Sequence, residues 1–186
     1  MSAGPRVGEQ IADFSLPGGV LVGDSFERRE FTASGQRGTP LVLAFYPGDD
    51  TPVCTKQLCS YSSGLEAFED CGALVWGISP QSVDSHEAFA RKHSLRIPLL
   101  ADTDRTVSKA FGVSAPGIGL RRAVFLVAPD GTLHWKHVSL LGMTFQSVST
   151  LSAQLETMGK HPSRQGSVSP VATPGTATRG VAESTE

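Results

Sequence analysis

Leu41-Val-Leu-Ala-Phe-Tyr46, cut off by Pro47-Gly48, is a continuous apolar run with β-branched and aromatic content. A run of that length ending on a Pro-Gly break reads as a strand buried on both faces. Ala73-Leu-Val-Trp-Gly-Ile78 is a second strand of the same kind. Between them Leu58, Tyr61, Leu65 and Phe68 recur at spacings of 3, 4 and 3, which is the apolar stripe of a helix over residues 55–69. Strand, helix and strand in this order make a βαβ unit, with a parallel pair and a right-handed crossover.

Working outward, residues 83–93 form a second helix with Ser82 as its N-cap. A short strand over 97–101 and a short helix over 104–111 follow, with Asp102 and Asp104 as capping residues rather than calcium ligands. Residues 122–128 and 132–138 flank Asp130-Gly131, a hairpin for which a type I′ turn is expected. Phe145, Val148, Leu151, Leu155 and Met158 mark a closing helix, with Thr144 as its cap. Upstream, Phe14, Leu16, Val20 and Val22 suggest small edge strands. The order defines an α/β protein with a central mixed β-sheet flanked by helices, of thioredoxin-like topology.

Composition narrows the function. With 16 Lys+Arg against 18 Asp+Glu and a net charge of −2, the chain has no field to draw it onto nucleic acid or an anionic membrane. No apolar stretch approaches the roughly 20 residues of a membrane span, and the first ten residues have no signal-peptide core. Three cysteines do not make a disulfide framework, so a cytoplasmic location is expected. From residue 159 to 186 there is no aromatic, Leu, Ile or Met, and Gly, Pro, Ser and Thr fill 15 positions. The expected organisation is one domain over 1–158 and a disordered tail over 159–186.

The chemistry concentrates in Phe45-Tyr-Pro-Gly-Asp-Asp-Thr-Pro-Val-Cys-Thr-Lys-Gln-Leu-Cys59, which runs from the C-terminal end of a central strand into a helix. Open α/β sheets build their sites there. Cys54 falls in the first turn, where unpaired amides and the helix dipole favour a thiolate, the form sulfur needs to act as a nucleophile. Cys59 is five residues on, about 7.5 Å of rise and about 140° of rotation away. Two cysteines so placed cannot bond while the helix is intact. If they bond, the helix unwinds locally.

Pro47-x-x-x-Thr51-x-x-Cys54, with Cys59 five residues on, resembles the active-site signature of peroxiredoxins of the Q-type, or bacterioferritin comigratory protein, branch of the alkyl hydroperoxide reductase/thiol-specific antioxidant family. The resemblance runs over residues 5–158. It includes Val75-Trp-Gly-Ile-Ser79, Pro98-Leu-Leu-Ala-Asp102 and Arg122-x-x-Phe125. It implies a thiol peroxidase acting on hydrogen peroxide and organic hydroperoxides. By that resemblance Cys54 is the peroxidatic cysteine, Thr51 places a hydroxyl between thiolate and peroxide, Arg122 donates to both, and Pro47 shields the site from water. Cys59 resolves the sulfenic acid to an intramolecular disulfide, which thioredoxin or a similar dithiol reduces. No metal, flavin or haem is implied, and the expected state is a monomer or weak homodimer. Arg121 and Arg122 point to opposite faces of a strand, and the spacing to Phe125 favours Arg122.

Two other readings stand beside this one: a one-cysteine peroxidase with an external resolving thiol, and a thioredoxin-like redox interaction protein. The absence of Cys-x-x-Cys counts against a dithiol reductase. Cys71, ahead of Gly72, reads as a structural thiol. His134 and His137 lack companions at metal-ligand spacing.

Overall fold

A computed structural model of the chain describes residues 4–115, 117, 119–139 and 144–159. The expected tail therefore lies, except for Gly159, outside the described residues. The chain opens with a hairpin of β1 (Ser15–Val22) and β2 (Ser25–Thr32), then reaches β3 (Leu41–Phe45). Helices α1 (Pro52–Ser63) and α2 (Leu65–Asp70) carry it to β4 (Leu74–Ser79), and α3 (Val83–His93) carries it to β5 (Leu99–Ala101). After α4 (Thr106–Ala110) come a two-stranded ladder of β6 (Ser114–Ala115) and β7 (Gly119–Leu120), the hairpin β8 (Ala123–Val127) and β9 (Leu133–Val138), and α5 (Val148–Gly159).

The main sheet has seven strands in the order β2-β1-β5-β4-β3-β8-β9. β4 pairs in parallel with both β3 and β5, while β1 and β8 run antiparallel to their inner neighbours. This is the expected mixed sheet flanked by helices. The all-apolar central strands are buried on both faces, and their alternation divides two cores. Val42, Ala44 and Tyr46 join Leu58, Tyr61, Phe89 and Leu151 on one side. Leu41, Leu43 and Phe45 join Phe31, Phe111 and Phe125 on the other. Gly77 lies where α1 passes over β4: a Cβ there would come 2.8 Å from Leu99 Cδ2 and 2.9 Å from Leu58 Cδ1.

Four local expectations are corrected. The helix read over 55–69 is two, because Pro52 supplies a preformed first turn and Gly64 ends α1. A Cβ at Gly64 would lie 2.8 Å from Val148 Cγ2, so glycine lets α5 pack closely at the break. The hairpin turn is not type I′, which needs positive φ at both central residues. Gly131 N–H donates to Ala128 O at 2.8 Å around Pro129-Asp130, and Gly131 alone of the turn has positive φ, at 83°. The cap of α5 is Ser147, whose hydroxyl accepts from Thr150 N–H at 3.2 Å, not Thr144. Last, the first 35 residues hold an eight-by-eight residue hairpin with β1 inside the sheet, not small edge strands. Ser82 does cap α3, accepting from Ser85 N–H at 3.3 Å. Asp102 and Asp104 accept amide protons at the start of α4.

Candidate active site

β3 delivers the chain to its C-terminal edge at Tyr46, and α1 begins at Pro52 after a five-residue turn over 47–51. Thr51 is the N-cap residue in extended conformation, Pro52 occupies N1 and Cys54 falls in the first turn. Amides at this position have no intrahelical acceptor. The antiparallel register sets Phe45 opposite Ala123, so Arg122, just before β8, arrives at the same edge beside Tyr46. Its backbone is held there by Ser139 N–H, 2.9 Å from Arg122 O.

The two side chains meet. Arg122 Nη2 donates to Cys54 Sγ at 3.1 Å, and Arg122 Nη1 donates to Gln57 Oε1. Cys54 is 0% exposed and Arg122 3%. A buried guanidinium aimed at a sulfur stabilises negative charge there far more than it would in water. Gln57 Nε2 in turn reaches Tyr61 Oη at 3.4 Å, which donates to Gln146 O at 2.9 Å. Burial pushes the Tyr61 hydroxyl up to about 12, so it stays a donor. Residues 54, 57 and 61 share one face of α1, the i, i+3, i+7 stripe. Sequence reading took Tyr61 as plain core; the polar Gln57 within an apolar stripe was the signal it passed over.

The other expected site residues are less tightly drawn in. Thr51 is exposed, and its hydroxyl donates to Gly48 O at 3.3 Å. Pro47 is exposed on the rim just after β3. Cys59 is half-buried on the same unbroken α1 as Cys54, and all three cysteines are free thiols. Burial pushes the Cys59 thiol up. Cys71 Sγ lies 4.0 Å from Ser152 O, against α5, and burial raises it too, with Glu156 and Asp70 adding to the shift. His137 stacks on Trp135 and His134 meets Thr157 Oγ1 at 3.1 Å.

The turn itself is fastened to α3, a feature the sequence reading did not foresee. Asp49 accepts from Tyr46 Oη at 2.8 Å and Ser85 Oγ at 2.7 Å, and faces His86 Nδ1 at 2.9 Å. The other ring nitrogen of His86 faces Leu100 O at 3.1 Å. Asp50 has φ of 57°, a left-handed conformation costing roughly 1–2 kcal/mol for most residues and less for Asp. Lys92 Nζ donates to its carboxylate at 2.8 Å, and His93 Nε2 lies 3.0 Å from the same oxygen.

Comparison with known proteins gives this arrangement a family. The pattern of the AhpC/TSA family matches residues 7–136, and the chain belongs to that family. Its relatives there include peroxiredoxins of the Q and Bcp kinds, as the residue signature implied. The chain is 29% identical to peroxiredoxin Bcp of Bacillus subtilis over 160 residues, covering 81% of this chain and 98% of that one. It is 44% identical to the chloroplastic peroxiredoxin Q of Sedum lineare over 93 residues, 50% of each. The match thus spans half the length of that plant relative. The solved structure of Xanthomonas campestris peroxiredoxin Q superposes with a TM-score of 0.64 at 27% identity, covering 78% of this chain and 90% of that one. No helix among the described residues is long and apolar enough to cross a membrane.

Proposed function

We propose that the chain is a thiol-dependent peroxidase that reduces hydrogen peroxide and organic hydroperoxides through Cys54. The observation that carries the reading is the 3.1 Å bond from Arg122 Nη2 to a buried Cys54 Sγ in the first turn of α1. The thiolate attacks the terminal oxygen of R–O–O–H. An S–O bond forms and the O–O bond breaks; the peroxide gains two electrons and the sulfur becomes a sulfenic acid. The leaving alkoxide or hydroxide takes a proton and departs as alcohol or water. Arg122 stabilises charge on sulfur and on the leaving oxygen. Thr51 orients the peroxide by turning its hydroxyl away from Gly48 O, and Pro47 closes the rim once substrate has entered.

Cys59 then attacks the Cys54 sulfenic sulfur. An S–S bond forms, the S–O bond breaks, and the departing hydroxide leaves as water with the Cys59 proton. This requires α1 to unwind, and unwinding removes the burial that holds the Cys59 thiol up. A dithiol protein of thioredoxin type reduces the disulfide. A chain with three cysteines and no disulfide framework in its sequence suits a reducing compartment such as the cytoplasm. Residues 1–158 carry the whole cycle, and the Gly/Pro/Ser/Thr-rich stretch beyond takes no part in it. Cys54→Ser tests the reading: peroxide consumption is expected to vanish, and wild-type turnover in that variant would overturn it.

A further inference from the structure

The chain entering α1 is tied to α3 at two adjacent aspartates, in two different ways. Asp49 is held inside the protein by Tyr46, Ser85 and His86. Asp50 is held outside it by Lys92 and His93, and both of those contacts are solvent-exposed. Buried, multiply bonded polar groups are costly to separate, whereas exposed ion pairs are weak and break readily. Asp49 is therefore suited to stay in place while Asp50 lets go.

Asp50 also has a reason to let go. Its φ of 57° lies in the left-handed region, which disfavours a residue with a Cβ, and it sits two positions before the start of α1. Rotation of Asp50 to negative φ relieves that conformation. It also redirects the chain at Thr51-Pro52, where the first turn of α1 begins. Its carboxylate is meanwhile bonded to Lys92 and His93 on α3.

Building on the two-cysteine reading above, we propose that Lys92 and His93 are positioning residues that latch Asp50 in its left-handed conformation, and that release of this latch is the step that lets α1 unwind to bring Cys54 to Cys59. Latched, α1 is wound and Cys54 stays against Arg122, ready for peroxide. Unlatched, and once oxidation has removed the thiolate charge that holds Cys54 to Arg122, the Cys54 turn swings free about Asp49 as pivot. Cys59 then displaces hydroxide from the sulfenic sulfur as written above. The latch thus divides the cycle: it sets the rate of disulfide closure without touching the reacting atoms in the peroxide step.

The test is rapid-quench alkylation and mass analysis of full-length protein after one equivalent of hydrogen peroxide. Wild type is compared with the Lys92→Ala/His93→Ala double variant and with Asp50→Asn, which tolerates the left-handed conformation but lacks the charge. Oxidation of Cys54 is expected at an unchanged rate in all three. Closure of the Cys54–Cys59 disulfide is expected about three- to tenfold faster in both variants, the scale of one exposed ion pair and one exposed hydrogen bond. Raising NaCl from about 0.05 M to about 0.5 M should speed closure in wild type and leave both variants unmoved, a signature that general loosening would not give. Equal or slower closure in the variants, or salt-independent closure in wild type, overturns the latch while the peroxidase reading stands. No oxidation of Cys54 in wild type overturns both.

Discussion

Arg122 Nη2 and Cys54 Sγ lie 3.1 Å apart, both buried, although 68 residues separate them in the chain. Each is placed by the backbone rather than by its neighbours in sequence. β3 carries the chain to the sheet edge where α1 starts, and the Phe45–Ala123 register brings the residue before β8 to the same edge. A planar guanidinium reaches sulfur with Nη2 and Gln57 with Nη1, a geometry that fixes where its charge points.

Arg122→Lys should therefore fold normally and react poorly. An ammonium cannot hold both partners in the fork geometry, so Cys54 oxidation by hydrogen peroxide is expected to slow by about 10²–10³-fold. Stopped-flow peroxide kinetics on the reduced protein checks this. A loss of less than fivefold would remove Arg122 from the reacting charge.

Cys59→Ser separates the two halves of the cycle. The first peroxide equivalent is expected to be consumed at the wild-type rate, leaving one added oxygen on Cys54 and no intramolecular disulfide. Turnover with a dithiol protein should stall. Undiminished recycling would hand the resolving role to Cys71 or to an external thiol.

Part of this site was legible in the sequence: Cys54 obeys local rules, while the roles expected of Thr51, Arg122, Pro47 and Cys59 came from the resemblance to peroxiredoxins. Cys54 follows a Pro-Gly break and precedes an apolar helical stripe, and an Arg-x-x-Phe spacing picked Arg122 over Arg121. The polar fastenings were not legible, because nothing local distinguishes His86 or Lys92 from any other polar residue of an amphipathic helix. Asp49 and His86 meet only once β4 and β5 have set α3 beside the turn. β2 was missed for a related reason: Glu27-Arg-Arg-Glu30 interrupts its alternation, as charges on an exposed edge strand do. The hairpin turn departs from the type I′ that Asp130-Gly131 implies because Pro129 suits the first central position of an ordinary turn, which makes Asp130 the second and leaves Gly131 after them.

The Asp49–His86 contact should show in acid. Burial pushes the Asp49 carboxyl up, but the hydrogen bond and attraction of His86, with Ser85 and Tyr46, outweigh it and hold the group below the ordinary carboxylate range. A depressed folded value means stability present in full above the unfolded value near 3.9, and lost as pH falls through the folded one. Asp49→Asn is expected to cost about 1–3 kcal/mol at neutral pH, since an amide cannot serve Tyr46, Ser85 and His86 with the two acceptor oxygens of a carboxylate. Its melting temperature should also fall less steeply than that of wild type below about pH 4. Calorimetry across that range checks both, and parallel pH profiles would exclude Asp49 from the acid response.

Gly77→Ala tests the packing of α1 on the sheet. The added methyl meets Leu99 Cδ2 and Leu58 Cδ1 inside 3 Å, so α1 must lift or those leucines must leave their rotamers. A loss of about 1–3 kcal/mol is expected by thermal or urea unfolding. A neutral result would mean that α1 sits more loosely over β4 than these contacts describe.

The most direct test of the account is intact mass and free-thiol count on the reduced protein after one equivalent of hydrogen peroxide. The expected result is rapid loss of two thiols with no oxygen retained, mapped by peptide analysis to a Cys54–Cys59 disulfide. Retention of all three thiols at unchanged mass would contradict it.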